Sequence, residues 1–360
     1  MKRIGAGAAS LLLASTTLAQ AGALDRSGQP VGIIFQDGNY AELSYGLTEP
    51  SVSGTNSLTG AVTSSGDVGV EYGQVALSFK YDVNDRISIA AVIDQPYGAD
   101  VDYGDADPTY PTVGSTAEFQ STGVTVLGRY KFNDRFSVHG GARYVAIDAD
   151  LNVQSGGYIY QAEFEEESDV GYVVGAAYER PDIALRVALT YASETSYSHE
   201  TTFAGTFVGS GLTEYTMPQS VTLDFQSGIA AGTLLFGSIR WADWSETDIV
   251  TPGYLANPVV DYEEDITTYT LGVGRRFSDA IAASLSVIYE TETGGEVSNL
   301  SPTDGQLGIQ LGGTYTLASG LVVSGGVRYT ALGDATTRTI FSEFEDNDAV
   351  SLGLRVGYRF

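Results

Sequence analysis

Six times along this chain, a run alternating apolar with small or polar residues meets a short turn and then alternates again. The plainest two are "YDVNDRISIAAV" from Tyr81 and "YKFNDRFSVHGG" from Tyr130. Before the first turn Val75, Leu77, Phe79 and Tyr81 alternate with Ala76, Ser78 and Lys80; after it Ile87, Ile89, Ala91 and Ile93 alternate with Ser88, Ala90 and Val92. A period of two places successive side chains on opposite faces, so each unit is a β-hairpin. The other four turn at Pro181, near Gly228, at Asp279 and near Gly320. With a strand from Asn39 before the set and one ending at Phe360 after it, the total is about 14, and single-chain outer-membrane barrels need an even number.

The connections alternate in length. Between the short turns lie long, polar stretches near 49–69, 94–117, 150–169, 193–219, 243–262, 291–305 and 331–348. Short turns on one rim and long loops on the other are the arrangement of an outer-membrane barrel, whereas a soluble sandwich has no reason to sort them so. A propeller would repeat with four strands per blade, and that period is absent. The predicted fold is all-β: a transmembrane antiparallel barrel of about 14 strands, its apolar strand faces toward lipid and its small or polar faces toward the lumen. Tyr45, Tyr81, Tyr130, Tyr144, Tyr191, Tyr289 and Tyr329 fall near strand ends, where an interfacial aromatic girdle sits.

The first residues read as an address. Lys2 and Arg3, an apolar run and "AQA" ending at Ala21 have the form of a secretory signal peptide. Residues 22–38 are then expected as a short N-terminal plug and 39–360 as the barrel, with Val31, Ile33, Ile34 and Phe35 available to pack inside. A net charge of −27 argues against nucleic-acid phosphates as partners. With no Cys, disulfides, thiolate metal sites and cysteine nucleophiles are excluded. His139 and His199 are the only histidines; His139 alternates with Val138 onto the lumen face, and no catalytic pairing surrounds it. The reading is therefore not an enzyme, with no cofactor and no dedicated metal site; the acidic run Glu163–Asp169 reads as a solvated loop rather than a Ca²⁺ cage.

The order of motifs resembles the FadL family of outer-membrane transporters for long-chain fatty acids and other hydrophobic compounds. "AGALDRSGQP" resembles the start of that family's mature chains, and "YAELSYGLTEPSVSGT" its first strand and loop. "ISIAAVIDQPYGADVDYG" resembles its third strand, with a Pro-aromatic-Gly break; "MPQSVTL" with "SIRWADWSE" resembles its Pro-x-Ser and Trp-x-x-Trp-Ser pair. The alternation up to the terminal Phe360 resembles the C-terminal signal read by the barrel assembly machinery. The likeness spans nearly the whole mature chain, but the family's Asn-Pro-Ala hatch motif is missing, so the plug is expected to be short. It implies passive uptake of a hydrophobic small molecule, with outer-membrane lipid and lipopolysaccharide as surroundings. The alternatives are a structural or adhesion barrel, or a porin for polar solutes.

Three groups of residues are candidates for function. Arg129, Arg186 and Arg355 fall on lumen faces near the short turns; Arg143, Arg240 and Arg328 fall on lumen faces further out. The outer three are expected to meet a carboxylate, which the guanidinium fork matches; the plainer reading is ion pairing with Glu42, Glu71 or Asp148. Pro96, with Tyr97 and Gly98, interrupts the third strand, since Pro cannot donate to a ladder. The resemblance implies a lateral gate there; otherwise Pro96 begins the second long connection. Finally, Tyr160 and Phe164 in one acidic loop, and Phe203 and Phe207 in the next, read as apolar ligand contacts or as loop self-packing.

Overall fold

The computed structural model describes residues 24–360 apart from Thr59 and Asn257. The expected signal peptide, 1–21, lies outside the described residues. The chain forms a closed antiparallel barrel of 14 strands. These are β1 (Tyr40–Ser51), β2 (Tyr72–Asp82), β3 (Ile87–Asp94, then Gly98–Asp102), β4 (Thr116–Lys131), β5 (Phe136–Ser155), β6 (Tyr158–Arg180) and β7 (Leu185–Ala192, then Thr195–Gly205). They continue as β8 (Gly209–Met217, then Ser220–Ala230), β9 (Thr233–Ala242), β10 (Ile266–Arg276), β11 (Ile281–Glu290), β12 (Gln306–Thr316), β13 (Leu321–Leu332) and β14 (Asp348–Arg359). Closure comes from β1 against β14, in unbroken register from Tyr40↔Arg359 to Ser51↔Asp348.

Side-chain alternation fixes which face meets what. On β12, Leu307, Ile309 and Leu311 are each more than half exposed on the outer face, while Gln306 and Gln310 are buried in the lumen. Such rows recur around the barrel. In water they would form one large apolar patch; in an outer membrane they meet lipid. No described helix is long and apolar enough to cross a membrane.

The structure departs from the sequence reading in three places. The stretches 150–169 and 193–219 are not loops: β5 and β6 run on together to a turn at Gly156–Gly157, and β7 and β8 resume beyond short breaks to form a second tall hairpin. Their inward residues Leu151, Val153, Tyr160, Ala162 and Phe164 are buried, and the acids alternate with them on the outward face. Alternation outweighs polar composition here, because the tall sheet has its own core. The turn expected near Gly228 falls at Ala231–Gly232, with Ala230 paired to Thr233. The third strand resumes at Gly98 instead of ending at Pro96.

The N-terminal segment runs through the lumen. A 3-10 turn over Gly32–Phe35 buries Ile33, Ile34 and Phe35, and with Val31 and Tyr40 these pack against the lumen-facing Ala90, Val92, Leu127, Val173 and Ala188. Small lumen residues on the strands leave the room that this segment fills. At the other rim the long connections knit a five-stranded cap from Ser53–Asn56, Thr63–Asp67, Glu296–Val297, Ala335–Thr337 and Glu343–Phe344.

Candidate functional site

A notch interrupts the wall between β2 and β3. Strand β2 pairs with β1 from Tyr72 onward, but with β3 only from Leu77. The cause is a bulge: Asp94 faces Gly123 on β4 and Gly98 faces Gln120, so β3 carries one residue more than β4 between those pairs. Pro96 sits in the bulge, where its missing N–H is harmless. Gly123 makes room for it, since a Cβ there would lie 3.1 Å from Pro96 Cδ. The neighbouring Tyr97 N–H donates to Ser121 Oγ at 2.8 Å.

The first described residues close the notch from inside. Asp25 bridges Tyr97, Gly98 N–H donates to Leu24 O at 2.9 Å, and Arg26 N–H donates to Pro96 O at 2.9 Å. Ser27 Oγ donates to Asp94 Oδ2 at 2.7 Å. A cavity of only about 20 Å³ remains at the notch, between Ser27, Ser44, Ala76 and Asp94 within and Val75 and Gln95 at the outer wall. The three residues expected to form a gate, Pro96, Tyr97 and Gly98, are thus all in contact with the N-terminal segment.

The lumen holds a cavity of about 270 Å³ lined by Arg143, Arg186, Arg240, Arg328 and Arg355 and by the segment Ser27–Gln36. The two tiers read from the strands bind different things. In the tier nearer the short turns, Arg129 and Arg186 each lie 4.6 Å from the centre of the Phe35 ring; Arg129 also pairs with Glu179, and Arg355 with Glu42 at 3.7 Å. In the outer tier, Arg143 donates to Gln29 and Arg240 pairs with Asp25 at 2.6 Å. Arg328 donates to Gln310 through Nη2 at 2.9 Å. Of the acids expected as partners only Glu42 is used; the others are Glu179 and Asp25, and Asp25 comes from the N-terminal segment. His139 is buried in the lumen against Thr190 Oγ1 at 2.9 Å and the edge of Phe35.

Beyond the outer tier lies an aromatic core that spacing alone did not reveal. Tyr160, Phe164, Tyr197, Tyr215, Met217 and Trp244 are buried together, with Tyr97 and Leu24 at its base. The Trp241–Ser245 motif explains how Trp244 reaches it. Asp265 accepts from Trp241 Nε1 at 3.0 Å and from Ser245 Oγ at 2.8 Å. That clamps the 3-10 turn Trp244–Glu246 and sends Trp244 inward, 6.2 Å edge-on from Tyr97. Of the predicted apolar contacts, Tyr160 and Phe164 are in this core and Phe203 stacks on Tyr160 at 6.0 Å. Phe207 is apart from them, half exposed at the tip of the β7–β8 hairpin.

Two more cavities continue outward. One of about 110 Å³ lies above the N-terminal segment, between Asp25, Arg26, Val52, Val101, Leu300 and Pro302. The other, about 220 Å³, opens at the long-loop rim between Tyr103, Val153, Tyr158, Tyr254, Val259 and Leu300. Both share Leu300. Burial pushes the Tyr254 hydroxyl up to about 12 and Tyr103 well above its ordinary value, so both remain neutral donors. Arg338, on the wall of the outer cavity, is already paired with Asp261 and Glu263. Among the described residues no group of His, Asp and Glu is placed to hold a metal.

No curated protein matches the chain in sequence. Several solved structures share its fold. A Pseudomonas aeruginosa FadL homologue superposes with TM-score 0.77 at 13% identity, covering 98% of each chain. The Ralstonia pickettii toluene transporter TbuX gives 0.65 at 14% identity over 95% of this chain and 96% of its own. The Pseudomonas putida toluene transporter TodX gives 0.66 at 11% identity over 96% and 100%. At such identities the likeness concerns fold. The family is shown by sequence: residues 36–360 match the profile described as outer membrane protein transport protein (OMPP1/FadL/TodX), and the chain belongs to that family of outer-membrane transport proteins.

Proposed function

We propose that this barrel takes up hydrophobic small molecules, long-chain fatty acids among them, by passive diffusion across the outer membrane. The observation that carries this reading is the succession of cavities. A cavity at the long-loop rim, lined in good part by aromatic and aliphatic side chains, shares Leu300 with the chamber above Asp25 and Arg26, and the N-terminal segment stands between that chamber and the arginine-lined lumen cavity. The notch at Pro96 offers a sideways exit from the lumen into the bilayer. An aromatic and aliphatic first stage suits a hydrocarbon chain, and Arg143, Arg240 and Arg328 suit a carboxylate at its end. TbuX and TodX are described as toluene transporters. Neutral aromatic cargo is the second reading, favoured by the fact that Arg240 already has a carboxylate partner in Asp25.

The test is uptake by proteoliposomes and by cells lacking their own transporter, comparing a fatty acid, toluene and a polar sugar. Uptake of either hydrophobic compound without sugar permeation supports the proposal. An open ion conductance with sugar permeation and no hydrophobic uptake would make the protein a polar-solute porin; none of these activities would leave a structural barrel.

A further inference from the structure

Charge is sorted along the barrel axis. Among the described residues only Arg26 and Arg338 are basic beyond the lumen on the long-loop side, and both are already ion-paired. The other basic residues lie in the lumen or at the short-turn rim. On the lipid-facing side of the strands, read by alternation, just two are basic: Arg180 and Arg275. Arg180 pairs with Asp182 at 2.7 Å. Arg275, next to the last residue of β10, has no carboxylate partner among the described residues; its Nη1 donates to Thr233 Oγ1 at 3.3 Å. The outer wall beside it is grooved. Arg275 faces Ala283 on β11, Ala283 faces Gly313 on β12, and Gly313 faces Gly325 on β13. All four point toward lipid, and a Cβ at Gly313 would meet nothing within 4 Å. Leu285, Leu311 and Val327 stand exposed along one side of this row, and Ile281 and Tyr315 along the other. The row spans three strand spacings, about 14 Å. Counted from the strand ends, each member stands one residue further from the short turns than the one before, so the groove climbs from the rim into the bilayer.

We infer that this groove holds one anionic phosphoglyceride of the inner leaflet, its phosphate on Arg275 and one acyl chain over Ala283, Gly313 and Gly325. The short turns of an outer-membrane barrel face the periplasm, so Arg275 stands at the depth of that leaflet's headgroups. A cation facing lipid without a counter-ion is costly, and a headgroup phosphate supplies one. The guanidinium fork matches phosphate oxygens in geometry as well as in charge. A zwitterionic headgroup also brings a cation of its own, which Arg275 and the adjacent Arg276 repel. Complementarity of charge therefore favours a lipid of net negative charge, and the open floor of the groove gives its tail a seat that flush rows such as Leu307, Ile309 and Leu311 do not. A lipid held there fixes the height of β10–β13 against the inner leaflet. The inference does not depend on which cargo passes, because every residue in the row faces away from the lumen.

The test is native mass spectrometry of the full-length protein released from detergent micelles, titrated with dioleoyl phosphatidylglycerol or dioleoyl phosphatidylcholine. The wild-type protein should retain one phosphatidylglycerol about tenfold more tightly than phosphatidylcholine, the discrimination that one charge-assisted hydrogen bond gives. Arg275→Met should abolish that preference, and Arg180→Met, at the other lipid-facing arginine, should keep it. Gly313→Leu fills the groove and leaves the charge in place. It should weaken retention of both lipids about tenfold, as when about two methylenes lose their burial. An unchanged preference in Arg275→Met would overturn the inference. So would an equal loss in Arg180→Met, which would make the attraction a property of the whole rim. Undiminished retention by Gly313→Leu would overturn it as well, since the tail would then lie elsewhere. Ala283→Leu repeats that arm if Gly313→Leu fails to assemble, as judged by heat-modifiability on gels.

Discussion

The guanidinium of Arg26 lies 3.2 Å above the centre of the Tyr72 ring. Tyr72 belongs to β2, while the same side chain donates from Nε to Gly98 O at 2.9 Å and pairs with Asp100 at 2.9 Å, both on β3. One residue of the N-terminal segment therefore fastens both edges of the wall notch. A partly desolvated cation–π contact contributes about 1–2 kcal/mol, and each 1.4 kcal/mol is about a factor of ten. We expect Arg26→Met to speed hydrogen exchange at the Arg26 and Gly98 amides by about tenfold, since these donate across the closure. Gly98→Val should do the same, because a Cβ at Gly98 would stand 2.9 Å from Arg26 Nε. Unchanged protection at both amides would show that backbone bonding alone holds the segment.

Phe35 anchors the other end of the segment. Its ring carries the guanidinium groups of both Arg129 and Arg186, each 4.6 Å from its centre, and it is buried at 8% exposure. Truncating a buried Phe costs about 3–5 kcal/mol, and 3 kcal/mol is a little over two decades in a population. In planar bilayers Phe35→Ala should therefore raise the unplugged, ion-conducting fraction about a hundredfold. Phe35→Leu keeps most of the burial and loses mainly the cation–π contacts, so it should give a much smaller rise. Equal conductance of all three proteins would place the seal elsewhere.

Four carboxylates stand in register across neighbouring strands of the tall sheet: Asp100 faces Glu118, Glu118 faces Asp150 and Asp150 faces Glu163. Like charges directly opposite each other destabilise a sheet, by about 0.2–1 kcal/mol per pair. Asp100 alone has a cation, Arg26. Glu118→Gln should raise resistance to unfolding at low salt, and the gain should fade in 1 M salt, where the screening length is about 3 Å. A gain independent of salt would point to another cause, such as β propensity.

Much of this was legible in the sequence because the barrel repeats a period of two. Parity alone placed Arg143, Arg240 and Arg328 in the lumen, and they line one cavity there. Their partners were not legible, since Asp25 lies 215 positions from Arg240 and Gln29 lies 114 from Arg143. Only the path of the N-terminal segment through the closed barrel brings them together. The tall hairpins were missed for a different reason. Acids such as Asp150, Glu163 and Glu165 made the stretch look like a loop, although Leu151, Val153, Tyr160, Ala162 and Phe164 keep strict alternation beneath them. Trp244 gave no signal of burial by spacing, because its direction is set by Asp265, 21 positions on and just before β10 begins at Ile266.

Pro96 itself is expected to matter less than the residue count around it. Its ring removes one donor, and from sequence alone that suggests that Pro96→Ala lets the third strand pair through. The register says otherwise. Between the pairs Asp94↔Gly123 and Gly98↔Gln120, β3 has one residue too many whatever its identity. Alanine would remain in the bulge, and the Pro96 carbonyl position that accepts from Arg26 would be kept. Deleting residue 96 removes the surplus, restores regular pairing with β4 and lets β3 run straight past β2. In proteoliposomes loaded with a fatty-acid-binding reporter, we expect Pro96→Ala to take up fatty acid at nearly the wild-type rate and the deletion to slow it strongly, with both barrels folded by heat-modifiability on gels. Slow uptake by Pro96→Ala would mean that the ring itself props the notch open. Wild-type uptake by the deletion variant would mean that cargo leaves past the N-terminal segment, toward the short-turn rim, and not through the wall.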